Sequence, residues 1–369
     1  MLESQERVLD NAEERWAKLG PYYAMFPVTF AHETVERFCS FGGSVLDPFC
    51  GRGTVPFVAK IRGRQSVGID VNPVAYVFSK AKADPEPDSR KLVNRVGEVA
   101  RAVTAKDTKA ENEFQKWAWS TEVLGFLQAA RRLLDWHNDR VDRTLMAIIL
   151  VHLHGKLGNA VSNQMRQSKA MAPEYSVKWW KERRMAPPAI EPVDYFQRKI
   201  EWRYRHGVVG GAAASIFLGD AQEVLPRISG QFDMLFTSPP YAGVTNYRLD
   251  NWIRLWMLGA SSLPQGGARE KYGNRKEYAS LIGGVFNAAK PLMRADCVLY
   301  VRTDTREFTR DTTIKALKEV WPDHNFFWRA ERYGWSQTKL FGDQGQKPGE
   351  TDLLGLVGTN TPLGFQSCR

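Results

Sequence analysis

The sequence predicts an α/β fold in which one doubly wound, mostly parallel sheet is interrupted by a helical insertion. Three observations predict this fold. Short apolar runs alternate with helical periodicities in both terminal parts of the chain, a spacing typical of parallel βαβ units. A glycine turn follows the first apolar run, within residues 45–54 (VLDPFCGRGT). Between the terminal parts, residues 89–206 are rich in Lys, Arg and Trp and mostly helical in pattern.

The N-terminal elements follow from apolar periodicity and from glycines that end helices. Phe30, Val35 and Phe38 fall on one helical face, and a glycine pair at residues 42–43 stops that helix. The segments after it alternate between short apolar runs, as expected of strands, and helical patterns. We expect a helix, a strand, a helix, a strand and a helix at residues 30–41, 44–46, 55–61, 66–70 and 73–83.

The chain changes character at residues 84–88 (DPEPD), where prolines and acids mark a boundary. We therefore divide it into a sheet domain, formed by residues 1–84 and 207–369, and an insertion, formed by residues 85–206. Apolar faces in the insertion predict helices that carry Leu124, Leu127, Leu133 and Leu134 and, further on, residues 145–157. Strand patterns return at residues 215–220, 232–236, 297–301, 326–329 and 352–357.

The composition is that of a globular protein with a basic surface. The chain has 369 residues, 43% of them hydrophobic, which is enough for one large domain or two smaller ones. The net charge of +10 favours a polyanionic partner such as nucleic acid, although many basic proteins have none. Four cysteines without CxxC spacing argue against a disulfide scaffold and a zinc module, as in a reducing cytosol.

The sequence carries no targeting or membrane signal. Its first twenty residues are charged and helical in pattern, unlike a signal peptide. The longest apolar stretch, residues 145–153, is too short to cross a bilayer. We therefore expect a soluble, cytoplasmic protein that does not contact a membrane.

The glycine turn is the first candidate ligand site. Glycine permits a positive φ, and without a Cβ it lets a ligand lie against the main chain, as Gly51 and Gly53 would here. The turn lacks the Lys-Ser/Thr pair of a phosphate loop, and Pro56 stands where a dinucleotide fingerprint has its third glycine. The turn lies at the carboxyl end of a central strand, where open α/β sheets bind ligands, and a tight turn with no ligand is the alternative.

Acids end three of the expected strands, at Asp47, Asp70 and Asp220. Asp70 has the spacing at which a carboxylate takes the two hydroxyls of a ribose. Asp220 can accept a hydrogen bond from an adenine amine. Three acids beside one crevice indicate a cofactor that contains adenosine, whereas ordinary strand-end or turn-forming acids are the simpler alternative.

The pentapeptide at residues 237–241 (TSPPY) is the second candidate site. The amine of a nucleobase is a poor nucleophile because its lone pair is delocalised into the ring. Two acceptors aimed at its N–H groups, the hydroxyl of Ser238 and the carbonyl of Pro239, would localise that lone pair. Pro239 and Pro240 restrict φ and stiffen the turn, and the ring of Tyr241 would stack on the base. A proline turn that merely ends a strand is the alternative.

The glycine turn and the pentapeptide together resemble the DNA amino-methyltransferases, which use S-adenosylmethionine to methylate cytosine N4 or adenine N6. The resemblance covers residues 21–84 and 214–301. It implies a seven-stranded sheet of the class I methyltransferase type, with the sheet domain as the catalytic domain and the glycine turn ahead of the pentapeptide. It also implies S-adenosylmethionine as cofactor, double-stranded DNA as substrate, and a cognate restriction endonuclease as a candidate partner.

The resemblance also assigns residues to the two ligands. The base-binding and catalytic residues would be Ser238, Pro239, Pro240 and Tyr241. The segment at residues 22–27 resembles a motif that packs by the methionine end of the cofactor, and an apolar helix entry is its alternative. The cofactor-binding residues implied are Phe26, Pro27, Asp47, Phe49, Gly51, Gly53, Thr54, Asp70 and Asp220.

Serine in the first position of the tetrapeptide favours cytosine N4 as the target. Adenine N6 of DNA and a base amine of RNA remain open, since the chemistry is the same. A nucleic-acid-binding protein without catalysis is a further alternative, although the intact SPPY element argues against it. A dehydrogenase is disfavoured because the third glycine is missing and the SPPY element would have no role.

Other reactive residues fit structural roles better. Cys50 lies inside the glycine turn, so we expect a packing residue and not the nucleophile of a carbon-5 cytosine methyltransferase. His152 and His154 are two apart on an apolar helix and cannot share one face, so we expect no metal site.

Two basic stretches are candidates for DNA contact. In the insertion, the cations would neutralise phosphates, while Arg166 and nearby amides would read base edges. The second stretch is a glycine-bearing loop after the pentapeptide. A solvated helix and a plain surface loop are the alternatives. The residues concerned are Arg166, Lys169, Lys178, Arg183 and Arg184 in the first stretch and Lys271 and Arg275 in the second.

Overall fold

The computed structural model describes residues 11–21, 26–167, 170–243, 247–264, 274–331, 349–358 and 360–368, without the side chains of Tyr247 and Glu331. Within these residues the chain forms an eight-stranded sheet. The strands are β1 (Ser44–Asp47), β2 (Gln65–Asp70), β3 (Ala214–Leu218), β4 (Phe232–Thr237), β5 (Met293–Asp304), β6 (Asn325–Glu331), β7 (Glu350–Leu356) and β8 (Gln366–Ser367).

The strand order is β3-β2-β1-β4-β5-β7-β6-β8. The strands from β3 to β5 are parallel to one another, and β7 is antiparallel to both of its neighbours. This confirms the expected doubly wound, mostly parallel sheet, with one strand more than the seven implied. The additional strand, β8, pairs through two residues with the outer edge of β6, and so short a segment has no apolar alternation to reveal it.

The helices described are α1 (Ala12–Ala17), α2 (Val28–Phe38), α3 (Thr54–Ile61), α4 (Pro73–Ala83), α5 (Ser89–Arg101), α6 (Glu113–Ala118), α7 (Thr121–Leu133), α8 (Arg140–His152), α9 (Pro173–Glu182), α10 (Pro192–Tyr204), α11 (Ala221–Val224), α12 (Tyr247–Asp250), α13 (Trp252–Met257), α14 (Arg275–Ala289) and α15 (Glu307–Val320). None of the helices in the described part of the chain has the length and apolarity needed to cross a bilayer. The end expected for the helix over residues 145–157 is wrong, since α8 ends at His152. Gly155 and Gly158 follow, and Gly158 has a φ of +84°.

Helices cover both faces of the sheet. On β1, Val45 belongs to the apolar cluster that contains Phe30 of α2, while its neighbour Leu46 belongs to the cluster that contains Ile282 of α14. Successive residues of a strand point to opposite faces, so α2 and α14 lie on different faces. The helices between residues 85 and 206 share a third apolar cluster with α4, which packs against α8. The division into two domains stays a prediction.

The strand order also determines where a ligand can bind. From β1 the chain steps outward to β2 and then β3, whereas β4 and β5 lie on the other side of β1. The order therefore reverses between β1 and β4, which pair directly through Leu46 and Leu235. In open α/β sheets, ligands bind outside the carboxyl ends of the strands at such a reversal.

Candidate functional site

The sheet brings the predicted motifs to one edge. The glycine turn directly follows the carboxyl end of β1, and Ser238 directly follows the carboxyl end of the adjacent β4. Asp70 ends β2, and Asp220 follows β3, the next strand outward. The carboxyl ends of four neighbouring parallel strands therefore carry the candidate residues side by side.

The two glycines of the turn serve different purposes. Gly51 and Gly53 have φ of +52° and +77°, in the region that favours glycine. A Cβ on Gly53 would lie 2.5 Å from the Cβ of Ser79, so this glycine lets the turn pack against α4. A Cβ on Gly51 would have nothing within 4 Å. Open space therefore lies against the main chain at Gly51.

Asp70 supports the turn and retains acceptor capacity. Its two carboxylate oxygens accept the N–H groups of Gly51 at 2.9 Å and Asn72 at 2.8 Å. Burial raises the pKa of Asp70 to about 6, while these two hydrogen bonds lower it. Each oxygen has a second lone pair, so the carboxylate can also accept the hydroxyl groups of a ribose.

Asp47 instead connects two strands within the protein. Its carboxylate accepts the hydroxyl of Thr237 at 2.6 Å and the N–H of Phe49 at 3.2 Å, and the residue is 2% exposed. Burial raises the pKa of Asp47 to about 7; Thr237 and Phe49 lower it, and Asp70 raises it further. The side chain faces the residue before Ser238, so it holds β1 and β4 together at the edge.

The remaining cofactor candidates lie around the same edge. Asp220 accepts the N–H of Gln222 at 2.8 Å and so caps α11. This is the role expected of an ordinary turn-forming acid. Phe49 is half-buried, and Thr54 is buried at the start of α3. Phe26 lies 5.2 Å, between ring centroids, from Phe236 of β4. Pro27 immediately precedes α2, and residues 22–25 lie outside the described residues.

The pentapeptide, which begins at the last residue of β4, has two partly exposed residues. Thr237, Pro239 and Pro240 are buried, while Ser238 and Tyr241 are half-buried. The Tyr241 hydroxyl donates to Glu350 at 3.4 Å. Burial raises the pKa of Tyr241 well above its usual value, and Glu350 adds to this effect. The Tyr241 hydroxyl therefore keeps its proton and is neutral.

A buried ionic network behind Tyr241 was missed from the sequence. Arg302 of β5 donates to Asp352 at 2.6 and 3.0 Å and to Glu350 at 3.1 Å, both on β7. Its guanidinium carbon lies 3.5 Å from the ring centroid of Phe30. Asp352 also accepts Arg329 at 2.8 Å. The sequence signal that could have revealed this network is the presence of charged residues within strand segments that are otherwise apolar.

The chain that leaves the pentapeptide is also anchored. Arg306 donates to the carbonyl of Ala242 at 2.7 Å, directly after Tyr241. The same guanidinium pairs with Asp304, a fully buried residue at the end of β5. The turn is thus held before Ser238 by Asp47 and after Tyr241 by Arg306.

Two of the DNA-contact candidates lie outside the α9 region. Arg166 is exposed, and further along the same segment Met171 accepts a hydrogen bond from Trp252 of α13 at 3.1 Å. Arg275 is the exposed first residue of α14, which leads back to the start of β5. Its guanidinium carbon lies 4.7 Å from the ring centroid of Phe308. Lys169 and Lys271 lie outside the described residues.

The other candidates are on or after α9, which packs against α6. Lys178 and Arg183 are each within 4 Å of Glu182, so part of their charge is already balanced. Arg184 is exposed and has a φ of +51°. The nearby amide of Asn163 is fully buried and donates to the carbonyl of Trp117 at 3.1 Å, so it is not available to a base.

Cysteine and histidine side chains fit structural roles. Burial, with Asp70 and Asp47 adding, raises the pKa of Cys50 well above its usual value, so the thiol stays protonated. Burial lowers the pKa of His152 to about 3. His154 lies beyond α8, where its Nδ1 is 2.8 Å from the carbonyl oxygen of Arg166. No group of three candidate metal ligands occurs among the described residues.

Comparison with known proteins gives two sequence matches. Residues 4–80 match the model of the N6/N4 DNA methylase family. The type II methyltransferase M.BsoBI of Geobacillus stearothermophilus is 35% identical over 63 residues, and the match covers 17% of this chain and 12% of that protein. The matched family segment contains the glycine turn and Asp70. These matches support an amino-methyltransferase family, with S-adenosylmethionine as cofactor.

Solved structures show more distant likeness. TrmN from Thermus thermophilus is 11% identical, with a TM-score of 0.37, and the alignment covers 94% of this chain and 52% of that one. The rRNA methyltransferase aviRa from Streptomyces viridochromogenes is 12% identical, with a TM-score of 0.30 and coverage of 91% and 87%. Likeness at this level carries no argument about the substrate.

Proposed function

We propose that the protein transfers a methyl group from S-adenosylmethionine to an exocyclic amine of a base in DNA, with cytosine N4 preferred. One observation carries this proposal. Ser238 is half-buried and directly follows β4, whose neighbour β1 is directly followed by the glycine turn, at the reversal of the strand order. A methyl donor at the turn and an amine at Ser238 would therefore be neighbours.

The pentapeptide has the groups that activate an amine. Ser238 and the carbonyl of Pro239 would accept its two N–H groups, and buried Pro239 and Pro240 keep both acceptors in place. Tyr241 would stack on the base once it has left the duplex, which costs a few kcal/mol of unstacking. The cofactor supplies the methyl group on a sulfonium. Catalysis then depends mainly on the positions of these acceptors.

The glycine turn and Asp70 would hold the cofactor. Gly51 offers open main-chain surface, and the Asp70 carboxylate would accept the ribose hydroxyls. Phe26 would pack by the methionine end, and Phe49 by the turn. We propose no direct contact for Gly53 and Asp47, whose described neighbours are Ser79 and Thr237, nor for Thr54, which is buried in α3.

The affinity for S-adenosylmethionine should fall as the pH is lowered through 6. The pKa of Asp70 is about 6, and only its ionised form accepts two ribose hydroxyls. If the protonated form does not bind, affinity at pH 5 should be roughly tenfold lower than at pH 7.5. Isothermal titration calorimetry across this range measures the change.

Two variants show whether Asp70 is the group that titrates. Asp70→Asn should bind the cofactor weakly and lose the pH dependence of binding, whereas Asp47→Asn should keep that dependence.

The free energy of unfolding of the cofactor-free protein should change in the opposite direction to the affinity, and so rise as the pH is lowered. Burial raises the folded pKa of Asp70 above the unfolded value near 4, so this carboxyl contributes stability below pH 4 that is lost as the pH rises through 6. If the cofactor affinity of Asp70→Asn depended on pH as that of the unsubstituted protein does, Asp70 would not be the group that titrates.

Recognition of the DNA would begin at the exposed residues Arg166 and Arg275. The cations of the α9 region, Lys178, Arg183 and Arg184, would make more distant phosphate contacts. Lys169 and Lys271 remain candidates from the sequence. We propose double-stranded DNA as the substrate and a restriction endonuclease as a partner whose own specificity would match.

Sequencing of host DNA tests the proposed function. Expression of the protein should introduce N4-methylcytosine at a short recognition sequence, and N6-methyladenine there would instead identify the alternative target. Ser238→Ala should lower the methylation rate at least about 100-fold, as loss of a hydrogen bond aimed at the reacting centre does elsewhere. Ser40→Ala, an exposed serine ahead of β1, is the matched control. Labelled methyl groups in RNA and none in DNA would overturn the proposal.

A further inference from the structure

Arg52 is a buried cation inside the glycine turn. It stands between Gly51, which has open space against its main chain, and Gly53, which packs on α4. The side chain of Arg52 is 8% exposed, and its Nη1 donates to the carbonyl of Gly20 at 3.1 Å. Its Nε has no hydrogen-bond partner among the described residues. Since a guanidinium has five N–H groups, most of its capacity to donate is left for a ligand.

No carboxylate balances the charge of Arg52. Among the residues that the structure describes, none forms an ion pair with it. Burial lowers the pKa of Arg52 to about 10, so the guanidinium is still protonated at neutral pH. Buried Arg302, by contrast, pairs with Asp352 at 2.6 Å and with Glu350 at 3.1 Å. A buried charge without a counter-ion is costly, which indicates that the anion comes from a ligand.

The segment that meets this guanidinium leads toward the methionine end of the proposed cofactor site. Gly20 lies against α4, because a Cβ there would be 2.6 Å from the ring of Phe78, and its φ is +88°. Further along the segment, Phe26 packs on Phe236 of β4 and is the residue proposed for the methionine end. The Arg52 guanidinium therefore lies where the glycine turn meets the start of this segment.

We propose that Arg52 is a cofactor-binding residue whose guanidinium pairs with the methionine carboxylate of S-adenosylmethionine. This inference rests on the part of the proposed function that places the cofactor at the glycine turn. The carboxylate is the one anionic group of S-adenosylmethionine, and a guanidinium can donate two parallel N–H groups to it. Binding would thus supply the counter-ion that the buried arginine lacks.

The pairing would give the turn a selectivity that its glycines cannot provide. Open main-chain surface at Gly51 accommodates any ligand of suitable shape. A guanidinium held in place by Gly20 instead favours a ligand with a carboxylate at one position. Forms of the cofactor that lack this carboxylate would leave Arg52 buried and unpaired, and should therefore bind more weakly.

Affinities for two ligands test this role. Decarboxylated S-adenosylmethionine keeps the adenosine, the sulfonium and the amine but has no carboxylate. The unsubstituted protein should bind S-adenosylmethionine about 10- to 100-fold more tightly than this form, the range for a hydrogen bond to a charged group. In Arg52→Met, the affinity for S-adenosylmethionine should fall by a similar factor, whereas that for the decarboxylated form should fall no more than about twofold. Isothermal titration calorimetry without DNA measures the dissociation constants.

Arg143→Met is the matched control. Arg143 is a buried arginine of α8 that donates to the carbonyl of His137 at 3.1 Å, and within the described part of the chain its Nε has no partner either. Its substitution removes the same group from a site outside the glycine turn. The preference for the ligand with the carboxylate should therefore remain in Arg143→Met.

Two results would overturn the proposal. If Arg52→Met weakens the binding of both ligands by the same factor, Arg52 acts only through Gly20 and the shape of the turn. If the unsubstituted protein binds the two ligands equally well, no cation pairs with the carboxylate. Should Arg52→Met not fold, Arg52→Gln replaces it, since its amide can still donate to Gly20 but carries no charge.

The binding test also separates this inference from the proposed function, because it needs neither DNA nor methyl transfer. A preference that depends on Arg52, in a protein that methylates no DNA, would leave the carboxylate site standing and refute the proposed function instead. Methylation of DNA by a protein without this preference would do the reverse.

Discussion

Gly53→Ala is expected to lower the free energy of unfolding by about 2–5 kcal/mol. The residue has a φ of +77°, which costs an alanine about 1–2 kcal/mol. The new Cβ would also lie 2.5 Å from the Cβ and 2.8 Å from the Cα of Ser79. The Cα belongs to the backbone of α4, so neither atom can move away as a flexible side chain would. Urea unfolding measures the loss.

Gly42→Ala provides a matched control for this prediction. Gly42 has a φ of +79°, almost the same as Gly53, and a Cβ there would have nothing within 4 Å. Its substitution should cost only the backbone term, about 1–2 kcal/mol. If both variants lose the same stability, the contact with Ser79 is not what requires glycine at residue 53. Gly51→Ala should behave like Gly42→Ala in stability while weakening cofactor binding.

The parts of the fold that local pattern determines were predictable from the sequence. The helix expected at residues 73–83 is α4, because Asn72 caps it and Pro73 suits its first turn. The strands were expected from apolar runs, and parallel strands separated by helices place their carboxyl ends at the same edge of the sheet. Candidate residues at strand ends could therefore be assigned to one edge without coordinates.

The roles of individual side chains at that edge could not be predicted in this way. Asp47 has the same position at a strand end as Asp70, yet its carboxylate is taken by Thr237, 190 residues away. The partners of Tyr241 are equally remote, since Glu350 follows it by 109 residues. Which acid faces a ligand and which faces the protein depends on cross-strand contacts that local periodicity does not encode.

Arg302→Met is expected to lower the free energy of unfolding by about 3–5 kcal/mol at neutral pH, the usual cost of removing one partner from a buried ion pair. Burial disfavours the charge on Arg302, but Asp352 and Glu350 more than offset this and raise its pKa above the ordinary value. Methionine fills a similar volume, so the loss would come from the carboxylates left behind. Arg294→Met is the control: its pair with Asp233 is more than half exposed on the arginine side and should contribute less than about 1 kcal/mol.

The loss in Arg302→Met should shrink as the pH is lowered from 8 toward 5. Without the guanidinium, Asp352 keeps its pair with Arg329, but burial favours a proton on Glu350, which a glutamate of the unfolded chain takes up only near pH 4. The folded variant then binds more protons than the unfolded chain over this range, so its free energy of unfolding rises as the pH falls. Urea unfolding of the variant and the unsubstituted protein at several pH values measures the difference. A difference that does not change with pH would mean that lost packing on Phe30, and not uncompensated charge, is the cause.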